Sequence, residues 1–138
     1  MVMTDNTAYI SFKTFTEYAK MGNIYTKEIV AYAIESLIGN ELSVVTNLGA
    51  QGVVTLTEKD GSTVLHTLYA SPVRRGKDTE IIEDIPDIYN VNVSVKTDKK
   101  PTSVTLVPEN IPLDFDYADG KVSFTIPKLN CWQITEIK

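Results

Sequence analysis

The sequence predicts a mainly β protein: a Greek-key-like antiparallel β-sandwich of seven to eight strands, preceded by an N-terminal strand–helix segment. Three observations carry that prediction. From residue 48 onward, apolar residues recur with a period of two in short runs. Turn signals and prolines separate the runs, and no helical stretch lies between them. Before residue 48 the apolar period is that of a helix. The chain therefore reads as two segments, 1–47 and 48–138.

In the first segment, Ala8-Tyr9-Ile10-Ser11-Phe12 reads as a short strand, followed by a loop or short helical turn over 13–22. The stretch NIYTKEIVAYAIESLIG then places Ile29, Val30, Ala33, Ile34, Leu37 and Ile38 at helical spacing, a wide apolar stripe on one face. Lys27, Glu28 and Glu35 lie off the stripe, and Gly39-Asn40 supplies a C-terminal stop. One strand and one helix cannot bury that stripe between themselves. It is expected to dock on the second segment or on a second copy of the chain, as a homo-oligomer.

The second segment starts with Val53-Val54-Thr55-Leu56-Thr57. It turns at Lys59-Asp60-Gly61-Ser62 into a strand over 63–70, because Asp-Gly between two alternating runs is a strong hairpin signal. Further strands are expected at 80–84, 91–97, 103–108, 113–117, 121–127 and 132–138, with a second tight turn at Ala118-Asp119-Gly120-Lys121. Prolines 72, 86, 101, 108, 112 and 127 fall between or at the ends of these runs, where a missing N–H does least damage. No internal repeat is visible, which argues against a propeller or solenoid.

Composition narrows the function classes. The chain has 138 residues, with 13 basic and 18 acidic side chains for a net charge of −5. A phosphate backbone needs a broad basic face, so no nucleic-acid partner is expected. No apolar run reaches the length of a membrane span, so no membrane partner is expected either. The start, MVMTDNTAYISF, lacks the basic and apolar regions of a signal peptide, which leads to a cytoplasmic expectation. The single cysteine, Cys131, excludes an internal disulfide and reads as a small buried side chain. No nucleotide or metalloprotease motif occurs, and no cofactor or metal site is expected.

The rarer residues gather in LHTLYASPVRRG, which holds the only histidine and Tyr69, Arg74 and Arg75. Alternation puts His66 on one face with Val64, Leu68 and Ala70, so it reads as a half-buried, hydrogen-bonded histidine. One His and one Cys leave a zinc site to be completed by carboxylates, and no elbow motif presents a serine nucleophile. Arg74 and Arg75 follow Pro72 into a loop. Their guanidinium forks suit either ion pairs with Asp78, Glu80 or Glu83, or a carboxylate or sugar ligand. Tyr69, Arg74 and Arg75 are accordingly the candidate carbohydrate-binding residues, and Tyr89 is the other aromatic that looks free to serve a ligand. Asp114 and Asp116 alternate with Leu113, Phe115 and Tyr117, the pattern of a solvated strand face rather than of a catalytic carboxylate pair, and no catalytic residue is assigned. Phe115, Tyr117, Phe124 and Trp132 are expected in the core.

The first segment, AYISFKTFTEYAKMGNIYTKEIVAYAIESLI, resembles the last strand and helix of the flavodoxin-like trimerisation domain of β-galactosidase-like, family 42-type glycoside hydrolases. The matching features are the strand, then Phe15, Tyr18 and Gly22, then the amphipathic helix. The continuation is similar to the C-terminal β-domain of bacterial enzymes of that group, through His66-Thr67-Leu68-Tyr69, Arg74-Arg75-Gly76 and Ile81-Ile82-Glu83-Asp84. The ending TIPKLNCWQITEIK resembles the closing strands of glycosidase C-terminal sandwiches. The resemblance covers nearly the whole chain and leaves the barrel with the family's two catalytic glutamates outside it. It implies a non-catalytic accessory domain that supports assembly. A carbohydrate-binding module and a small stand-alone glycoside hydrolase are the alternatives.

Overall fold

The computed structural model describes residues 1–39 and 42–138, so Asn40 of the expected Gly39-Asn40 stop lies outside the described residues. The chain divides into two compact units, Met1–Leu42 and Ser43–Lys138.

In the first unit, β1 (Val2–Met3) and β2 (Ala8–Tyr9) form a small antiparallel ribbon. The strand expected over 8–12 is thus only two residues long. Where a loop or single turn was expected, α1 (Thr14–Met21) is a helix, ended by Gly22 at φ 61°. The longer helix α2 (Ile24–Ile38) begins at Asn23, whose side chain accepts a hydrogen bond from the Tyr25 N–H at 3.0 Å. That bond satisfies one of the N–H groups a helix start leaves without a partner. Gly39 follows the last turn at φ 57° and donates its N–H to the Glu35 carbonyl at 2.8 Å. The two helices pack on each other. The predicted stripe is divided by this packing: Ala33 is buried, Ile29, Val30 and Leu37 are half-buried, and Ile34 and Ile38 are exposed.

The second unit is a sandwich of a five-stranded and a four-stranded antiparallel sheet. Its strands in chain order are β3 (Val44–Thr46), β4 (Gly52–Lys59), β5 (Ser62–Tyr69), β6 (Val73–Arg75), β7 (Thr79–Ile81), β8 (Ile88–Lys96), β9 (Val104–Val107), β10 (Ile111–Pro112), β11 (Phe115–Ala118), β12 (Lys121–Leu129) and β13 (Trp132–Ile137). The five-stranded sheet runs β10-β9-β13-β5-β4, the four-stranded sheet runs β11-β12-β8-β3, and β6 and β7 form a separate ribbon. Because β3 pairs with β8, the sandwich starts a few residues ahead of the boundary at 47/48.

Local sequence explains the hairpins. Asp60 and Gly61, at φ 51° and 82°, make the β4–β5 turn, and Asp119 and Gly120, at φ 51° and 72°, make the β11–β12 turn. Two successive positive φ values match the twist of the flanking strands, and only Gly, Asn and Asp accept them readily.

One core joins the sheets. Leu65, Val104, Leu106 and Ile137 from the five-stranded sheet meet Val91, Val93, Val95, Val122, Phe124, Ile126 and Leu129 from the other. Fully burying each such side chain contributes about 1.5–3 kcal/mol.

Three expectations are corrected here. Of the strand expected at 80–84, only Glu80 and Ile81 pair, as part of β7, and they join β6 instead of a main sheet; Ile82 and Ile85 are exposed, so no apolar face holds that run in the core. Pro127 lies inside β12 and not at a strand end. The ladder skips it and its opposite residue Asn90, which takes φ 55°, so no pairing N–H is lost. Trp132, expected in the core, is half exposed on the outer face of β13, because the core-facing positions of that strand are Thr135 and Ile137.

Candidate functional site

The residues singled out from the sequence are not brought together in one pocket. Tyr69 ends β5, half-buried against the core, with its hydroxyl donating to Gln51 Oε1 at 3.2 Å and its N–H to the Cys131 carbonyl at 2.7 Å. Arg74 and Arg75 sit on the β6–β7 ribbon, and both guanidinium groups are paired. Arg74 faces Glu80 across the ribbon at 3.6 Å, while Arg75 forms a two-pronged contact with the Glu83 carboxylate, its Nε–Oε1 arm 2.9 Å long. Glu83 holds the Arg75 guanidinium above its ordinary pKa. The ion-pair alternative is the arrangement present.

His66 is half-buried on the outer face of the five-stranded sheet, where its ring stacks on Trp132 with centroids 6.0 Å apart and planes 11° from parallel. Alternation had placed it correctly with Val64 and Leu68, but its partner is an aromatic ring. Cys131 is half-buried in the turn before β13, at φ 61°. Among the described residues, no group of three or more His, Cys, Asp or Glu side chains is placed to hold a metal ion. Nor is any helix among them long and apolar enough to cross a membrane.

A second cluster ends the four-stranded sheet. Asp87 accepts hydrogen bonds from Asn130 Nδ2 and Lys128 Nζ, each at 2.8 Å, and from the Tyr89 hydroxyl at 3.3 Å. The Asn130 bond, followed by Lys128, holds the Asp87 carboxyl below its ordinary pKa, and Asp87 holds the Lys128 ammonium above its own. Lys128 also lies 6.0 Å from the Tyr89 ring centre.

A concavity of about 900 Å³ lies elsewhere, on the outer face of the four-stranded sheet. Strands β3, β8 and β12 form its floor, and the segment from Ile111 to Asp116 forms one wall. Pairing sets its side chains in rows. Ser94 of β8 lies between Val45 of β3 and Ser123 of β12, and Asp116 of β11 follows Ser123. In the next row Asn92 pairs with Thr125, and Asn47 reaches in from the end of β3.

These side chains hold one another in place. Thr125 Oγ1 donates to Asn92 Oδ1 at 3.0 Å, and Ser123 Oγ donates to Ser94 Oγ at 3.2 Å. Asn47 clamps the strand beside it: its Oδ1 accepts the Asn92 N–H at 2.9 Å and its Nδ2 donates to the Asn90 carbonyl at 3.1 Å. The Asn90 carbonyl faces Asn47 at the point where the β8–β12 ladder breaks opposite Pro127. Sequence reasoning found only Asp114 and Asp116 of this groove, and it read them correctly as a solvated face. The missed signal was the kind of polar residue alternating with the core positions: Asn, Ser, Ser and Thr at 92, 94, 123 and 125, with no long charged side chain among them.

No protein-family model matches the chain, and no curated protein does. Solved structures do. The chain is similar to α-L-fucosidase isoenzyme 2 from Paenibacillus thiaminolyticus, with 36% identity and a TM-score of 0.85 over 91% of this chain and 19% of that one. It also matches, at 16% identity and a TM-score of 0.42, a cycloisomaltooligosaccharide glucanotransferase from Paenibacillus sp., over 83% of this chain and 21% of that one. The chain spans about a fifth of the fucosidase chain. Over most of its length, then, this chain is similar to a part of a glycoside hydrolase.

Proposed function

We propose that the chain is a non-catalytic accessory part of a glycoside hydrolase, supporting assembly of the enzyme. The observation that carries this reading is the likeness to the fucosidase, which takes in nearly all of this chain and only a fifth of the other. Its own chemistry agrees. The carboxylates nearest the concavity, Asp114 and Asp116, are exposed, whereas a glycosidase acid needs an enclosed site to hold its pKa near the working range. In the finer form of the proposal, the first unit is the end of a flavodoxin-like trimerisation domain, as in β-galactosidase-like enzymes. The exposed Ile34 and Ile38 then belong to an apolar face, with the half-buried Ile29, Val30 and Leu37, through which copies associate, Ala33 being already buried within the unit.

A panel of nitrophenyl glycosides, α-L-fucoside and β-galactoside included, tests the non-catalytic reading. No turnover is expected from this chain. Turnover that disappears in Asp114→Asn or Asp116→Asn would overturn it in favour of a small hydrolase. Sedimentation of the wild type against Ile34→Asp tests the assembly role, with association in the first and its loss in the second expected.

A further inference from the structure

We infer that the groove on the four-stranded sheet is a binding site for a neutral carbohydrate, gripped through its hydroxyl groups. The inference rests on the accessory reading above and assigns it a ligand. Volume comes first: about 900 Å³ is within the range of small-ligand pockets.

Chemistry comes second. A sugar presents hydroxyls that both donate and accept, so its site needs mixed partners at close spacing. Asn92, Ser94, Ser123 and Thr125 supply amide and hydroxyl groups that do both, and Asp116 supplies an acceptor-only carboxylate. Side chains of one sheet face recur about 4.8 Å across strands and about 6.8 Å along them, spacings on the scale of a sugar ring. Val45 and Pro127 offer apolar contact for the C–H surfaces between the hydroxyls.

Order comes third. An exposed sheet face ordinarily carries long charged side chains, and this chain has 22% charged residues. Yet the groove is lined by no Lys, Arg or Glu. Its short side chains have few rotamers to lose, and the Thr125–Asn92 and Ser123–Ser94 bonds already restrict them. A ligand therefore meets a preordered array. The groove's lining contains no Trp or Tyr ring to stack on a sugar, which sets the expected affinity in the millimolar range.

The test is an amide-correlation NMR titration of the whole chain with L-fucose, galactose, glucose and short oligosaccharides built from them. The expected result is saturable shifts at Asn47, Asn92, Ser94, Ser123 and Thr125. Thr125→Val and Asp116→Asn should each weaken binding at least tenfold with unchanged thermal unfolding, and Arg75→Ala should leave it intact. The inference is overturned by a spectrum that does not move at tens of millimolar of any of these sugars. Shifts confined to the ribbon of Arg74 and Arg75 would overturn it equally. Such a failure leaves the accessory reading standing, because that reading is judged by turnover and association.

Discussion

The two outer faces of the sandwich share one core and differ in almost everything else. The outer face of the five-stranded sheet reads, across its strands, Val53, Leu68 and Trp132 in one row and Thr55, His66, Ile134 and Val107 in the next. The outer face of the four-stranded sheet reads Val45, Ser94, Ser123 and Asp116, then Asn92 and Thr125. The first carries an aromatic stack and β-branched residues, and the second carries amides and hydroxyls bonded across strands. The pairing rule is the same in both sheets, so the difference lies in which residues occupy the positions that the core does not claim. Solvent-facing positions are where a sandwich is free to specialise.

The comparison can be broken at its root by testing whether both faces depend on one core. Ile126 and Leu65 are fully buried on opposite sheets. Replacing either with alanine should cost about 2–5 kcal/mol in denaturant unfolding, in a single transition. Two separate transitions would mean that the sheets do not form one cooperative body.

On the apolar face, Trp132→Ala removes the stack on His66 and should cost about 1 kcal/mol. A loss as large as that of Ile126→Ala would mean that this face is buried in solution. A change of similar size and opposite sign is expected beneath it. Thr67 Oγ1 is buried with no hydrogen-bond partner, so Thr67→Val should stabilise the protein by about 1 kcal/mol in the same assay.

The smallest effect belongs to the polar sheet's end. Asp87 has a carboxyl pKa lower in the folded protein than in the unfolded chain, so its contacts stabilise the fold above the ordinary carboxylate value. That contribution is lost as pH falls through the depressed folded value. A pH series of unfolding midpoints should therefore fall less steeply on acidification in Asp87→Asn than in the wild type. An unchanged slope would mean that the Asn130 and Lys128 contacts are not held in solution.

Much of this architecture was legible because local chemistry dictates it. Alternating runs around Asp60-Gly61 and Asp119-Gly120 permit hairpins and little else, and Gly39 ends a helix whose apolar spacing is plain in the sequence. The elements that escaped were those with weak local signals. Strands β3 and β10 are two or three residues long and exist through their neighbours β8 and β9. The run over 80–84 had the composition of a strand and lacked a buried face to receive it. Arg74 and Arg75 were visible as rare residues, and their partners Glu80 and Glu83 were named beforehand among the alternatives. That those pairs form was settled by the ribbon's register for Arg74 and Glu80, and by the fold of the following residues for Glu83.

What the sequence by itself determined is the class of fold, the helix, the two tight turns and which residues of a main strand share a face, because periodicity and turn chemistry act over a few residues. What the tertiary structure alone decided is the order of strands in each sheet, the exposure of Trp132 and the groove. A row such as Val45, Ser94, Ser123 and Asp116 joins residues far apart in the chain. Only long-range backbone pairing, driven by burial of the shared core, could set them side by side.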